Sequence, residues 1–101
     1  MNQQMMAQMR KMQQEMAKAQ EELAATVVSG AAGGTAVRVD MTCDYRVQAV
    51  KVAPEAIDPS DAETLEDLLV VAFNDAVQKA QETSGKRMQS LTGGIRIPGL
   101  T

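Results

Sequence analysis

The chain has 101 residues, a formal charge of -3 and an isoelectric point near 4.8, so it allows one domain with a modest core, and its average surface does not advertise nucleic acid. It has no His and one Cys, Cys43, which removes the commonest general base and the commonest metal ligand and leaves no internal disulfide and no zinc site. Tyr45 and Phe73 are its aromatics, so base stacking is not a main binding mode, and a core this thin is one that oligomerisation commonly completes.

The first element is predicted over residues 4–26. Met5, Met9, Met12, Met16, Ala19 and Leu23 recur every three or four positions, the spacing of a helix that offers a narrow apolar seam to another helix. Gln, Arg, Lys, Glu and Ala fill the rest, and no Gly or Pro interrupts. Such a helix would run roughly 35 Å. It is too glutamine-rich for a secretory signal, and no stretch approaches the roughly 20 apolar residues of a membrane span. These features, with the lone Cys43, point to a cytosolic protein.

Three strands follow at 26–29, 35–42 and 46–52. Thr26-Val27-Val28 is β-branched, and Gly30-Ala31-Ala32-Gly33-Gly34 reads as a turn by composition. Val37, Val39 and Met41 alternate with Arg38, Asp40 and Thr42, the pattern of a half-buried strand. Cys43-Asp44-Tyr45 is a plausible hairpin turn without Gly. In the last strand Val50 and Val52 share one face and Val47 and Ala49 the other, so either both faces are partly covered or a bulge intervenes.

A long helix is predicted over 59–89. Asp58 is placed as its N-cap and Pro59 as its first residue, with Asp61 and Glu63 at the positive end of the dipole. Its apolar stripe runs from Leu65 through Leu68, Leu69, Ala72, Phe73, Ala76 and Val77 to Ala80, wide enough to cover a sheet. Thr83-Ser84-Gly85 weakens or ends it, and residues 90–101 carry too much Gly and Pro for regular structure. The reading is α+β, in the order α-β-β-β-α, with a three-stranded antiparallel meander.

Charge is unevenly spread. Residues 54–82 sum to -7 and residues 83–101 to +3, while residues 1–26 balance and residues 35–53 sum to +1. The acids cluster on the outer face of the second helix, and Arg10 and Lys11 precede any acid in the first. Cys43 has no His to activate it, and the Gly-rich stretch lies between two strands with no helix N-terminus or Lys-Ser/Thr pair behind it. An enzyme is improbable, and no metal or cofactor site is read.

The chain resembles the YbaB/EbfC family of small bacterial nucleoid-associated proteins over essentially its whole length. The resemblance rests on MMAQMRKMQQEMAKAQEEL, on AAGG before a valine-alternating strand, on VKVAPEAIDPSDAETLEDLLVVAFNDAVQKAQE and on the closing LTGGIRIPGL. It departs at Cys43-Asp44-Tyr45, where relatives often carry Gly, and at Arg96, where they often have a small residue. The resemblance implies a cytoplasmic, nucleoid-located homodimer that associates with double-stranded DNA and bears on nucleoid organisation and gene regulation. It implies a tweezer shape in which sheet and second helix form the dimer core and the N-terminal helices project. Arg10, Lys11 and Lys18 on the arms, with Lys86, Arg87 and Arg96 toward the C-terminus, are then the residues expected to meet phosphates. The Met seam keeps three readings: packing within the dimer, an open ridge that docks varied proteins with DNA contact incidental, and, least favoured for want of bulky side chains, a membrane-surface helix.

Overall fold

The computed structural model describes residues 2–92. Helix α1 spans Gln3–Ala25, strand β1 Val27–Ala32, β2 Val37–Thr42 and β3 Val47–Val52, a short 3-10 turn covers Pro54–Ala56, and helix α2 spans Ala62–Thr92. The strands form one antiparallel sheet in the order β1-β2-β3, which is the expected meander. The molecule is drawn out, measuring 69 × 28 × 17 Å.

Helix α1 begins where Asn2 accepts a hydrogen bond from the Met5 N–H at 2.8 Å, satisfying one of the orphan donors of the first turn. It ends at Thr26, whose hydroxyl turns back onto the Glu22 carbonyl at 2.6 Å. Of the seam, Ala19 and Leu23 are buried, whereas Met5, Met9 and Met16 are exposed. The body of the protein therefore holds only the C-terminal end of α1, and the rest projects.

Helix α2 lies across β1 and β2. Val37 and Val39 are fully buried against Ala72, Ala76 and Ala80, with Leu65, Leu68, Leu69, Phe73 and Val77 packed around them. Burying each such Val is worth about 1.5–3 kcal/mol. The small Ala row lets the helix backbone come down onto the sheet, and Gly30 is the residue beneath it. A Cβ at Gly30 would lie 2.3 Å from the Ala76 nitrogen and 2.4 Å from the Ala72 oxygen. This is why Gly30, Ala31 and Ala32 form the end of β1 instead of the turn their composition suggests. The turn falls at residues 33–36, where Gly33 and Gly34 both take positive φ, at 61° and 69°.

Both ends of the second helix move as well. Asp58 does not cap α2: its carboxylate accepts from the Ser60 N–H and hydroxyl, closing a local turn, and Pro59 stays outside the helix. Asp61 takes the capping place, with its carboxylate on the Thr64 hydroxyl at 2.6 Å and the Thr64 N–H at 3.4 Å. Gly85 lies inside α2, which continues to Thr92. In β3 the bulge reading holds. Asp40 faces Ala49 but Met41 faces Val47, leaving Gln48 as the extra residue and returning Val47 to the face of Val50 and Val52. All three valines point to the side that α2 covers, yet α2 stops short of β3, and Val47 and Val50 remain exposed.

Asp75 is an exception among the acids of α2. It accepts the Ala31 N–H at 3.0 Å and the Lys79 ammonium at 3.1 Å, and Lys79 donates in turn to the Ser29 carbonyl at 3.1 Å. The two side chains, one helical turn apart, occupy the outward-facing backbone groups of edge strand β1 and so close an edge that would otherwise invite pairing.

Candidate nucleic-acid interface

The projecting part of α1 carries Arg10 and Lys11 exposed, and Lys18 lies further down the same helix, also exposed. Seam periodicity forces this: once Ala19 and Leu23 face the body, the intervening positions must face water. None of the three makes an ion pair among the described residues. The charge of Arg10 and Lys11 is therefore available to an external anion, while Lys18 also acts on Glu22, one turn further along the helix.

The last turns of α2 lie beside the C-terminal end of α1. Here Arg87 donates from Nε to Glu22 at 2.8 Å and from Nη1 to the Ser90 hydroxyl at 2.8 Å. Its side chain is largely covered, so Arg87 serves as a clamp that fixes the angle of the arm, and it is less free for phosphate than the sequence suggested. Lys86 is exposed and unpaired among the described residues. Arg96 lies outside the described residues. Below the clamp, Gln20, Leu23, Cys43, Asp44, Tyr45, Ser84 and Met88 line a shallow hollow at the root of the arm. Cys43 is buried there, and that burial pushes its thiol pKa up, so it packs and does not ionise readily. Tyr45 takes a φ of 70°, the left-handed conformation that glycine adopts most readily.

The sheet adds cations that sequence reasoning left out of the site. Arg38 and Lys51 are direct cross-strand partners, on the face away from α2. Arg38 is held by Asp40 at 2.9 Å, and Asp40 by the Ser29 hydroxyl at 2.7 Å. The alternation of β2 marks Arg38 as outward, but only the register puts Lys51 beside it.

Four carboxylates titrate below their ordinary range, each for a local reason. The Arg87 guanidinium lowers Glu22, the Ser29 hydroxyl and then Arg38 lower Asp40, the Ser60 hydroxyl and N–H lower Asp58, and the Ala31 N–H and then Lys79 lower Asp75. A depressed folded-state pKa means stability that is complete above the unfolded value and is lost as pH falls through the folded one. With unfolded carboxylates near about 3.9–4.3 and no His to titrate, the thermal midpoint is expected to stay level from about pH 5 to 8 and to fall below about pH 4. A midpoint that climbs on acidification would contradict these hydrogen bonds.

Among the described residues no group of three or more Cys, Asp or Glu is placed to hold a metal ion, and no helix is long and apolar enough to cross a membrane. What the geometry offers is an α+β body with a projecting helix on which Arg10, Lys11 and Lys18 make no ion pair among the described residues. Residues 1–95 match the model of the YbaB/EbfC DNA-binding family, and the chain belongs to that family. It is 53% identical over 97 residues to a nucleoid-associated protein of Chloroflexus aurantiacus, covering 95% of this chain and 97% of that one. Similar proteins of the same description occur in Roseiflexus sp., at 49% identity over 89% of each chain, and in Pelotomaculum thermopropionicum, at 44% over 95% of this chain and 91% of that one. The fold matches a crystal structure of an uncharacterized protein from Helicobacter pylori, with a TM-score of 0.80 at 19% identity, covering 92% of this chain and 99% of that one. The helix, three-stranded meander and long helix expected from the sequence are thus also the fold of that protein.

Proposed function

We propose that the protein is a cytoplasmic, nucleoid-associated homodimer that grips duplex DNA between two α1 arms, mainly through backbone phosphates and with little sequence preference, and that it contributes in this way to nucleoid organisation and gene regulation. The observation that carries the reading is the projection of α1 with Arg10 and Lys11 exposed and unpaired among the described residues. The reading assigns the contact to cations on phosphates, which position the protein without reading sequence. Acids Glu63, Glu66, Asp67 and Glu82 stand exposed on α2 and would repel DNA from that surface. Dimerisation is supported by the uncovered valines of β3 and by Val70, exposed on α2 beside the half-buried Phe73 and Val77. A partner's helix laid over β3 would bury both strips, and the two-fold would double every positive cluster.

The test is duplex binding against salt. Six arm cations per dimer, neutralising about four to six phosphates, predict a log–log slope of roughly -4 to -5. The double variant Arg10→Ala/Lys11→Ala removes four of those charges and is expected to reduce the slope to about -2 and weaken binding at every salt concentration. Absence of binding by the intact wild-type dimer at about 50 mM salt would reject the proposal.

A further inference from the structure

The open face of the sheet carries an arrangement that neither the arms nor the core explains. Arg38 and Lys51 stand directly opposite one another in the ladder between β2 and β3. Like charges in that relation lower the stability of a sheet, and no packing role calls for them, since both point away from α2. Arg38 is also oriented. Its Nε is tied to Asp40, which Ser29 holds in turn, so the guanidinium is fixed along one edge. Its two Nη groups have no acceptor among the described residues, and Lys51 has neither an ion pair nor a hydrogen bond there. Beside them Ala31, Gly34, Thr35 and Ala53 line a shallow hollow, and Arg38 and Lys51 form its charged side. A Cβ on Gly34 would meet nothing within 4 Å, so the hollow is open on that side. Two cations and the Asp40 carboxylate leave one net positive charge, the complement of one phosphodiester.

We infer that this hollow is a second phosphate-contact site, in which Arg38 and Lys51 take one backbone phosphate of duplex DNA between them, separate from the arms. The inference rests on the DNA reading above. Free phosphate would bind such an open pair weakly, whereas a duplex already held by the arms presents its phosphates at high effective concentration. The repulsion across the ladder is then a stability cost kept for binding, as functional sites commonly show.

The experiment compares the salt dependence of duplex binding for the wild-type protein, Arg38→Gln/Lys51→Gln and Lys51→Arg, with thermal midpoints measured alongside. One phosphate lost per copy is expected to reduce the slope by about 2 per dimer and to weaken binding roughly tenfold or more at 0.1 M salt. The glutamine variant should stay folded, with a midpoint within a few degrees of the wild type, because the repulsion removed offsets the lost attraction of Arg38 and Lys51 for Asp40, and Lys51→Arg should bind as the wild type does. If the wild-type protein binds and the glutamine variant keeps its slope, the sheet site is rejected and the arm reading stands. If the wild-type protein fails to bind, both fall. A glutamine variant that binds poorly because it melts well below the wild type would assign the pair a structural role and overturn the inference. Inorganic phosphate at millimolar concentration, followed by amide shifts at Ala31, Arg38 and Lys51, separates the sources: shifts with phosphate but none with duplex make this a small-anion site and also overturn it.

Discussion

Replacing Gly30 by Ala is expected to lower the thermal midpoint by at least about 12 °C. The single methyl would enter a space bounded by the Ala76 nitrogen at 2.3 Å, the Ala72 oxygen at 2.4 Å and the Ala76 Cα at 2.8 Å. All three are helix backbone atoms, and no rotamer change can move them. Either α2 lifts from β1 or β1 shifts away from β2. Lifting α2 loosens Val37, Val39 and Met41, which it covers, and strains the bonds from Ala31 and Ser29 to Asp75 and Lys79. Overpacking ordinarily costs about 1–3 kcal/mol, and a clash with backbone belongs at or above the top of that range. For a chain of this size each kcal/mol is worth about 4–8 °C. Gly85→Ala is the internal control. It adds the same methyl in mid-helix with nothing within 4 Å, where helix propensity alone predicts a gain of about 1 kcal/mol. Thermal unfolding followed by circular dichroism decides the matter; a Gly30→Ala midpoint within about 2 °C of the wild type would refute the close approach of α2 to β1.

Gly30 also marks where sequence reasoning stops. Composition around it says turn, and locally that is the better reading. The strand continues because a helix some forty residues later needs a residue without a side chain beneath its Ala row. The same limit recurs wherever a distant partner decides. Gly85 reads as a helix end, but Leu23 and the Glu22–Arg87 bond from α1 support the helix around it. Asp58 and Asp61 carry equivalent capping side chains, and Ser60, by engaging the first, leaves the helix start to the second. Asp75 reads as one more solvated acid until β1 lies beside it. By contrast, whatever depends on local period was legible: the extent of α1, the inward and outward faces of β2, the stripe of α2 and the order of elements. The site divides along the same line. The exposure of Arg10, Lys11 and Lys18 follows from the seam between them. The engagement of Arg87 by Glu22, and the opposition of Arg38 and Lys51, depend on contacts that no local pattern announces.

Val50→Glu is expected to convert the proposed dimer into a folded monomer. In the single chain Val50 is 42% exposed, on the stretch of β3 that α2 does not reach. A carboxylate there can stay in water, so the monomer should retain its helix content and unfold cooperatively. In a dimer that covers β3 the same carboxylate would be buried without a cation: Val47 and Val52 flank it on the strand face, and the apolar strip of the partner's helix, the counterpart of Val70, Phe73 and Val77, would lie above it. Burying an unpaired charge costs several kcal/mol, and two-fold symmetry imposes the cost twice in each dimer. Even about 4 kcal/mol in total weakens association roughly a thousandfold, enough to leave monomers at micromolar concentration. Sedimentation equilibrium at about 10 μM should therefore return the dimer mass for the wild type and the monomer mass for Val50→Glu. The DNA consequence follows from counting charges. A monomer offers one arm instead of two, so the salt slope should fall by about half even though no arm residue has changed. A Val50→Glu protein that remains dimeric would mean that the uncovered valines of β3 are not where two copies meet. A wild-type chain that is monomeric at the same concentration would remove the second arm from the mechanism altogether.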